Sequence, residues 1–312
     1  MNENEKSRRI LDMRYPIDHA AMMSVLEEFT SRYPWISVTI LGESILGRVI
    51  PIVRLGSDGG KEPRRVLYVG AHHGMEWITA GLLLRFINEY CELVKSDGLV
   101  EGVRPIYLRE RCGLYIVPML NPDGVDYVIN GVGTDNVLRD RLLGMNGGDD
   151  FSHWQANARG VDLNHNYNAG FAEYKKIEAS LGICGGAPTR FSGESAESEP
   201  ETAYLCNYLR FSEPFDAALT LHTQGEVIYC GNSTTPESER LGRYLSRLCG
   251  YAISRADGPA AYGGFTDWFV REFGRPSFTL ECGRGENPLP VSDLPLTYLK
   301  LRRALFSFPM AV

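Results

Sequence analysis

Several features that identify whole classes of protein are missing from this sequence. Its seven cysteines occur without a single CxxC spacing, so neither a disulfide framework nor a thiolate zinc site is indicated, and reduced thiols in or near a core are expected. No stretch approaches the roughly 18 apolar residues that span a bilayer. The first residues, MNENEKSRRILDM, lack the apolar centre of a signal peptide. We therefore expect a cytoplasmic protein without a membrane partner.

Concentrated positive charge is also missing. Lysine and arginine total 32 against 39 aspartate and glutamate, the formal net charge is -7, and no basic block alternates with aromatic residues. These features argue against a nucleic-acid partner. A length of 312 residues with 44% hydrophobic residues suits one large α/β domain. We expect that domain over residues 15–312, after a polar N-terminal extension over residues 1–14.

The stretch from Arg65 to Tyr90 predicts a strand, a turn and a helix. An apolar, β-branched run leads into small residues, and apolar residues then recur at helical spacing. His72, His73 and Glu76 lie in the turn, at the sheet edge where open α/β folds bind ligands. The HxxE spacing favours His73 as the partner of Glu76. Only one of the two adjacent histidines is expected to point inward from the turn. His72 stays the alternative partner of Glu76.

Two more apolar runs end in a side chain of the same kind. AALTLH closes on His222, and PSFTLE closes on Glu281. If these runs and the strand before His73 are parallel strands of one sheet, their carboxyl ends meet in one crevice. His73, Glu76, His222 and Glu281 would then share a single site.

Two histidines and one carboxylate are a common ligand set for catalytic zinc, which keeps a fourth position open. Such an ion lowers the pKa of water and polarises a carbonyl oxygen. Glu281, outside this set, is a candidate general base that takes a proton from water and passes it to the leaving amine. It could instead pair with Arg284 or Arg271. Arg159 is a candidate for stabilising the developing oxyanion, or it could merely hold its loop.

Polar, glycine-containing segments separate these strands. Residues 130–159 and 169–195 predict two long irregular stretches, which are typical of surface or site-lining loops. Between them lies RGVDLNHNYN, where closely spaced hydrogen-bonding side chains either cap turns or face a ligand. The sequence alone leaves both roles open.

Five motifs, HGME, NPDG, RGVDLNHNY, LTLH and TLECG, resemble in this order the carboxypeptidase A-like family of zinc metallopeptidases. The segment GESILGRVIPIVRLG is similar to the opening strands of that family, so the resemblance extends from about Tyr15 to the C-terminus. It implies a single α/β domain with a mixed, roughly eight-stranded twisted sheet flanked by helices on both faces. It also implies one Zn2+ per chain, with His73, Glu76 and His222 as ligands.

The resemblance assigns further roles. It makes Glu281 the general base and Arg159 the group that polarises the scissile carbonyl. In typical exopeptidases of the family an Asn-Arg pair binds the terminal carboxylate of the substrate, whereas this chain has Asn164-His165. Both residues stay candidates for substrate binding, although histidine is mostly neutral at pH 7 and lacks the bidentate fork of arginine. Tyr262 is the candidate for the family's active-site tyrosine, offset by several residues.

Segments such as WQANARGVDLN, HTQGEVIYC and ECGRGENPLP most resemble the bacterial subgroup that cleaves γ-D-glutamyl-meso-diaminopimelate bonds in cell-wall peptides. We therefore expect a small peptide or muropeptide as substrate. Its charges need cationic or amide anchors, for which Asn164, Arg190 and Arg284 are candidates, although both arginines could be surface side chains. The alternatives are an ordinary metallocarboxypeptidase, an N-acyl amino acid deacylase on the same scaffold, or a non-catalytic zinc- or peptide-binding protein.

Overall fold

One mixed sheet forms the centre of the molecule. The computed structural model describes residues 14–56, 63–232 and 235–312. Within these ranges the sheet has the order β1-β2-β4-β3-β5-β8-β6-β7, and its four inner strands, β4, β3, β5 and β8, run parallel, which confirms the predicted mixed, eight-stranded sheet. The strands are β1 (Ser37–Glu43), β2 (Val49–Leu55), β3 (Arg64–Val69), β4 (Cys112–Val117), β5 (Ala217–His222), β6 (Val227–Tyr229), β7 (Ala252–Ser254) and β8 (Ser277–Glu281).

Helices cover both faces of the sheet. In the described part of the chain they are α1 (His19–Arg32), α2 (Ile78–Lys95), α3 (Pro105–Arg111), α4 (Pro122–Asn130), α5 (Arg139–Asn146), α6 (Phe171–Ser180), α7 (Pro200–Phe211), α8 (Pro236–Cys249), α9 (Phe265–Phe273) and α10 (Leu294–Ala311). The prediction of two irregular stretches is wrong at α5 and α6, which lie inside them. Both helices are short and depend on tertiary packing, since Leu142 of α5 and Tyr174 of α6 are fully buried.

The alternating side chains of β3 explain the two covering layers. Val66 and Tyr68 belong to a core shared with α1, α2 and α10, whereas Leu67 and Val69 belong to a second core shared with α7 and α9. All four side chains are fully buried. Successive side chains of a strand point to opposite faces, so a parallel strand covered on both faces is apolar at nearly every position. Burial of each large apolar side chain contributes about 1.5–3 kcal/mol.

The register of the parallel strands brings three strand ends to one edge. β3 pairs with β5, and β5 pairs with β8 so that His222 lies opposite Glu281. The turn that carries His73 and Glu76 begins at the same edge, directly after β3. The expected parallel arrangement of these three strands is therefore confirmed.

Six of the seven cysteines are buried, as expected for thiols in a core, and Cys184 is exposed. No helix in the described ranges is long and apolar enough to cross a bilayer. Residues 1–13 of the predicted N-terminal extension lie outside the described residues, so its boundary at residue 14 stays a prediction.

Candidate metal centre and active site

Three side chains at this edge form the one group, within the described ranges, whose spacing suits a metal ion. Nδ1 of His73 lies 2.9 Å from Oε1 of Glu76, and Nδ1 of His222 lies 2.9 Å from Oε2 of the same carboxylate. The ligand atoms all lie within 4.8 Å of one another. Two imidazole nitrogens and one carboxylate oxygen are a donor set of catalytic zinc. The residues present therefore fit the expected ion.

A short 3₁₀ turn places His73 and Glu76 on the same side of the chain. The turn covers Gly74–Glu76, directly after His73. A Cβ atom at Gly74 would lie 2.5 Å from the carbonyl oxygen of Gly124 and 2.8 Å from that of Trp154. Only glycine allows the turn to approach these two carbonyls so closely. The site therefore requires glycine in the HGME motif, in addition to the histidine and glutamate side chains.

Asn121 of the NPDG motif connects this turn to the neighbouring loop. Its side-chain amide donates hydrogen bonds to the carbonyl oxygens of His72, at 3.0 Å, and Ala156, at 3.1 Å. Its Oδ1 accepts a hydrogen bond from the N–H of Gly124 at 2.9 Å. Asn121 is fully buried, so these bonds form in a low dielectric and are costly to break. The motif is thus part of the support for the site.

Asp162 is a site residue that sequence analysis did not single out. Its Oδ1 lies 3.1 Å from Nε2 of His73, and its Oδ2 accepts a hydrogen bond from the backbone N–H of Arg190 at 3.1 Å. Metal-binding histidines usually donate their second ring N–H to such a carboxylate, which fixes the tautomer and the ring orientation. The density of polar side chains in RGVDLNHNYN was the one available signal for Asp162.

The charges around His73 favour binding of a cation. Burial acts to lower the pKa of His73, but the carboxylates of Glu76 and Asp162 outweigh it and raise that pKa well above its ordinary value. Burial likewise acts to raise the pKa of Glu76, but His73 and His222 lower it to about 2. A divalent ion can replace the proton on His73, because metal binding requires the neutral ring.

His72, the alternative partner of Glu76, supports the site by packing. It is fully buried, and its Nε2 lies 3.0 Å from the hydroxyl of Tyr167. Its ring stacks on that of His222, with centroids 5.2 Å apart. Burial, followed by the charges of His222 and His73, holds the pKa of His72 well below its ordinary value. The structure therefore brings His73 to Glu76, and places His72 behind the ring of His222.

Glu281 lies beside the three potential ligands. It is the register neighbour of His222, and both residues line a cavity of about 570 Å³ that His73 also lines. Burial, followed by the charge of Glu76, raises the pKa of Glu281 to about 8, whereas the charge of His73 lowers it. A cation bound by His73, Glu76 and His222 would favour the charged carboxylate and so lower the pKa of Glu281. The position suits a base acting on a molecule in the cavity.

Three predicted substrate-binding residues, Asn164, His165 and Arg190, line the same cavity. His165 donates a hydrogen bond from Nδ1 to the carbonyl oxygen of Tyr262 at 2.8 Å. Its ring stacks on Tyr174, with centroids 3.9 Å apart. Burial lowers the pKa of His165, which keeps the ring neutral at pH 7. Exopeptidases of the carboxypeptidase A-like family have arginine at this position. His165 therefore lacks the positive charge that this arginine provides.

Arg159 lies outside this cavity. Its side chain is half exposed, and one guanidinium nitrogen is 3.7 Å from the carboxylate of Glu199. Its backbone N–H donates to Oδ1 of Asn157 at 2.9 Å, and Nδ2 of Asn157 donates to Glu199 and Glu201. These contacts match the alternative in which Arg159 holds its loop. They give no support to the predicted action on the scissile carbonyl.

Tyr262 and Arg284 also lie elsewhere. Tyr262 lines a neighbouring cavity of about 470 Å³, together with Arg271. The side chain of Arg284 is 76% exposed and pairs with Glu226 at 2.8 Å. Neither arginine pairs with Glu281, and no other cation within the described residues does. The alternative in which Glu281 is a structural ion-pair partner is thus absent from this structure.

Four further polar residues that sequence analysis did not name line the metal cavity: His153, Gln155, Thr189 and Asp257. All four lie outside the helices and strands of the fold. Because such segments have no periodic pattern, their spacing does not show which side chains face a cavity. The hydroxyl of Thr189 donates a hydrogen bond to Gln155, which joins two of these loops at the rim.

Comparison with known proteins agrees with this geometry. A family model described as zinc carboxypeptidase matches residues 22–303. The chain belongs to the zinc carboxypeptidase family. It is therefore a zinc-dependent peptidase, and the group formed by His73, Glu76 and His222 is where its structure could hold the ion of the family.

Two relatives and one solved structure extend the comparison. Gamma-D-glutamyl-L-diamino acid endopeptidase 1 of Lysinibacillus sphaericus is 33% identical over 294 residues, which cover 93% of this chain and 71% of that protein. Uncharacterized protein YqgT of Bacillus subtilis (strain 168) is 33% identical over 298 residues, covering 93% and 77%. The structure of thrombin activatable fibrinolysis inhibitor matches with a TM-score of 0.75 at 19% identity, over 97% of this chain and 76% of that one. At that identity the likeness shows the fold alone.

Proposed function

We propose that this zinc peptidase hydrolyses γ-D-glutamyl-meso-diaminopimelate bonds in small cell-wall peptides, with Glu281 as the general base. The observation that carries the proposal is that His73, His222 and Glu281 line one cavity, and that the carboxylate of Glu76 lies 2.9 Å from a ring nitrogen of each histidine. The relative from Lysinibacillus sphaericus, whose name gives a γ-D-glutamyl-L-diamino acid substrate, supports the substrate class.

The lining of the cavity suits a small, charged peptide. Its volume of about 570 Å³ lies within the range of small-molecule sites. Arg190 offers a positive charge, Asn164 an amide and Asp257 a carboxylate. A γ-glutamyl-diaminopimelate segment carries both free carboxylates and a free amine, so groups of both signs in the lining are complementary to it.

Each part of the reaction is assigned to a residue of this chain. His73, Glu76 and His222 hold the Zn2+ ion, which when bound acidifies water and polarises a carbonyl oxygen. Glu281 removes a proton from water as the water oxygen bonds to the amide carbonyl carbon. The carbon–nitrogen bond then breaks, and Glu281 delivers that proton to the leaving amine, which regenerates its carboxylate. Asp162 keeps the ring of His73 oriented throughout.

Glu281→Gln tests the assignment of the base. The variant keeps the size of the side chain but cannot take a proton, so turnover should fall about a hundredfold to ten-thousandfold. Zinc content, measured by elemental analysis, should stay at one ion per chain. Glu237→Gln, at an exposed position in the first turn of α8, is the matched control and should keep full turnover. Unchanged turnover of Glu281→Gln would remove Glu281 as the base.

The substrate is tested with three compounds. The zinc-loaded protein is given L-alanyl-γ-D-glutamyl-meso-diaminopimelate, an ordinary α-linked peptide and an N-acyl amino acid, and the products are read by mass spectrometry. We expect cleavage of the γ-glutamyl bond and little action on the other two compounds. Preference for the α-linked peptide would instead indicate an ordinary carboxypeptidase. Preference for the N-acyl amino acid would indicate a deacylase.

A further inference from the structure

Arg190 is a cation without a partner in the cavity. It lines the same space as Glu281 and the metal group, and its side chain is exposed to that space and to solvent. Arg159 and Arg284 each pair with a glutamate. No carboxylate among the described residues lies within ion-pair distance of Arg190. Its guanidinium is therefore available to a molecule that enters the cavity.

The backbone of Arg190 is held in an unusual conformation. Its φ is 65°, in the left-handed region that side-chain-bearing residues rarely adopt. Its N–H donates to Oδ2 of Asp162 at 3.1 Å, and its carbonyl oxygen accepts a hydrogen bond from the hydroxyl of Tyr174 at 3.0 Å. Strain of this kind persists only where the surroundings impose it, and it is concentrated at ligand-binding positions.

The residues on either side of Arg190 are fixed as well. The carbonyl oxygen of Pro188 accepts hydrogen bonds from the backbone N–H groups of Gln155 and Ala156, both at 3.0 Å. The carbonyl oxygen of Phe191 accepts one from the N–H of Asp162 at 2.7 Å. A charged group on such a fixed backbone loses less entropy when it binds a ligand.

Asp162 connects Arg190 to the metal group. One of its oxygens faces Nε2 of His73, and the other accepts the N–H of Arg190. The backbone of Arg190, from which its side chain extends, is thus fixed relative to the ligand group by a single buried carboxylate. His165 cannot supply the same recognition, because it is neutral and its Nδ1 is occupied by the carbonyl oxygen of Tyr262.

We infer that Arg190 is the residue that recognises a free carboxylate of the substrate, and that it determines specificity for anionic peptides. A planar guanidinium forms two parallel hydrogen bonds with a carboxylate, which a neutral imidazole cannot do. The inference rests on the proposed function, since it concerns the substrate of the same site. Two carboxylates are possible partners: the α-carboxylate of the γ-glutamyl residue and the carboxylate beside the amine that leaves.

The test compares three probes on three proteins. The probes are L-alanyl-γ-D-glutamyl-meso-diaminopimelate, the same peptide with the glutamyl α-carboxylate amidated, and the same peptide with the carboxylate beside the scissile nitrogen amidated. The proteins are the zinc-loaded wild type, Arg190→Gln and Arg271→Gln. Arg271 is an exposed arginine that lines the neighbouring cavity, so its substitution removes the same charge outside the site.

A specific pattern of kcat/KM is expected. Amidation of one of the two carboxylates should lower kcat/KM of the wild type by about tenfold to a hundredfold, the range of a hydrogen-bonded charge pair. Arg190→Gln should cause the same loss with the free peptide and little further loss with the amidated one. Arg271→Gln should behave as the wild type. The amidated peptide whose kcat/KM does not change with Arg190→Gln identifies the carboxylate that binds Arg190.

Arg190→Gly separates recognition from folding. Glycine adopts a φ of this sign without strain, so the variant should melt at a temperature no lower than that of the wild type and still lose selectivity. A large fall in melting temperature, or an equal loss of kcat/KM with all three probes, would show a structural role and overturn the inference.

Binding distinguishes failure of this inference from failure of the proposed function. Glu281→Gln with zinc is titrated with the same probes by calorimetry, with and without Arg190→Gln. If the wild type cleaves none of the probes but binds the free peptide through Arg190, the proposed function fails and carboxylate recognition stands. If amidation and Arg190→Gln leave both affinity and kcat/KM unchanged, carboxylate recognition by Arg190 is refuted.

Discussion

Replacement of Glu201 by glutamine should change how the stability of the protein depends on pH. Glu201 is fully buried near the start of α7, where its Oε2 accepts a hydrogen bond from Asn157 at 3.1 Å and its Oε1 has no partner. Burial, aided by the charges of Asp123 and Glu199, raises its pKa to about 8. In the unfolded chain the group returns to its ordinary value of 4.5.

The sign and size of the effect follow from this difference. The folded protein keeps the proton on Glu201 between pH 4.5 and about 8, whereas the unfolded chain releases it. The stabilising contribution is therefore complete below pH 4.5 and is lost as pH rises toward 8, by at most about 1.4 kcal/mol per pH unit. Between about pH 5.5 and pH 7.5 the wild type should lose about 2–3 kcal/mol through this group.

Denaturant unfolding of the zinc-loaded wild type and Glu201→Gln at several pH values measures the effect. Glutamine has the same shape and does not titrate. The free energy of unfolding of Glu201→Gln, relative to that of the wild type, should therefore rise by about 2–3 kcal/mol between about pH 5.5 and pH 7.5. All other titrating groups are common to both proteins and cancel in the difference. Glu173→Gln, at an exposed position in α6, is the control for the substitution itself. A difference that is independent of pH would refute the reasoning.

Two further predictions concern the metal group. Asp162→Asn removes the charge beside Nε2 of His73 and should weaken zinc binding about tenfold to a hundredfold, measured by competition with a chelator; equal affinity would contradict its supporting role. Gly74→Ala forces a Cβ to within 2.5 Å of a carbonyl oxygen, so zinc content after dialysis and melting temperature should both fall. Gly144→Ala, where a Cβ meets nothing within 4 Å and which lies in α5, should keep its zinc and be about as stable or slightly more stable.

The sequence was sufficient to predict the centre of the site because the evidence there is local and regular. Apolar runs ending on His222 and Glu281, and the HGME turn after a third run, indicate strands whose ends share an edge. The pairing of His222 with Glu281 in adjacent parallel strands follows directly from that arrangement. The mixed eight-stranded sheet, implied by the resemblance to the family, is confirmed in the same way.

The rim of the site was not predictable in the same way. Arg159 and Arg190 both belong to polar loops, yet the first pairs with Glu199 outside the cavity and the second lines it. Tyr262, expected at the site, lines the neighbouring cavity. The short helices α5 and α6 were missed because buried contacts, rather than a strong periodic pattern, hold them.

The sequence by itself therefore determined where the central strands end and which turn follows β3, and with them the three side chains whose spacing suits a metal ion. Only the tertiary structure decided which loop side chains line the cavity beside these residues. The physical reason is that side chains of a strand point to its two faces in a regular two-residue alternation, whereas a loop side chain is directed by hydrogen bonds to distant residues. Asp162 illustrates the second case, because it is joined to His73 across 89 residues and to Arg190 across 28.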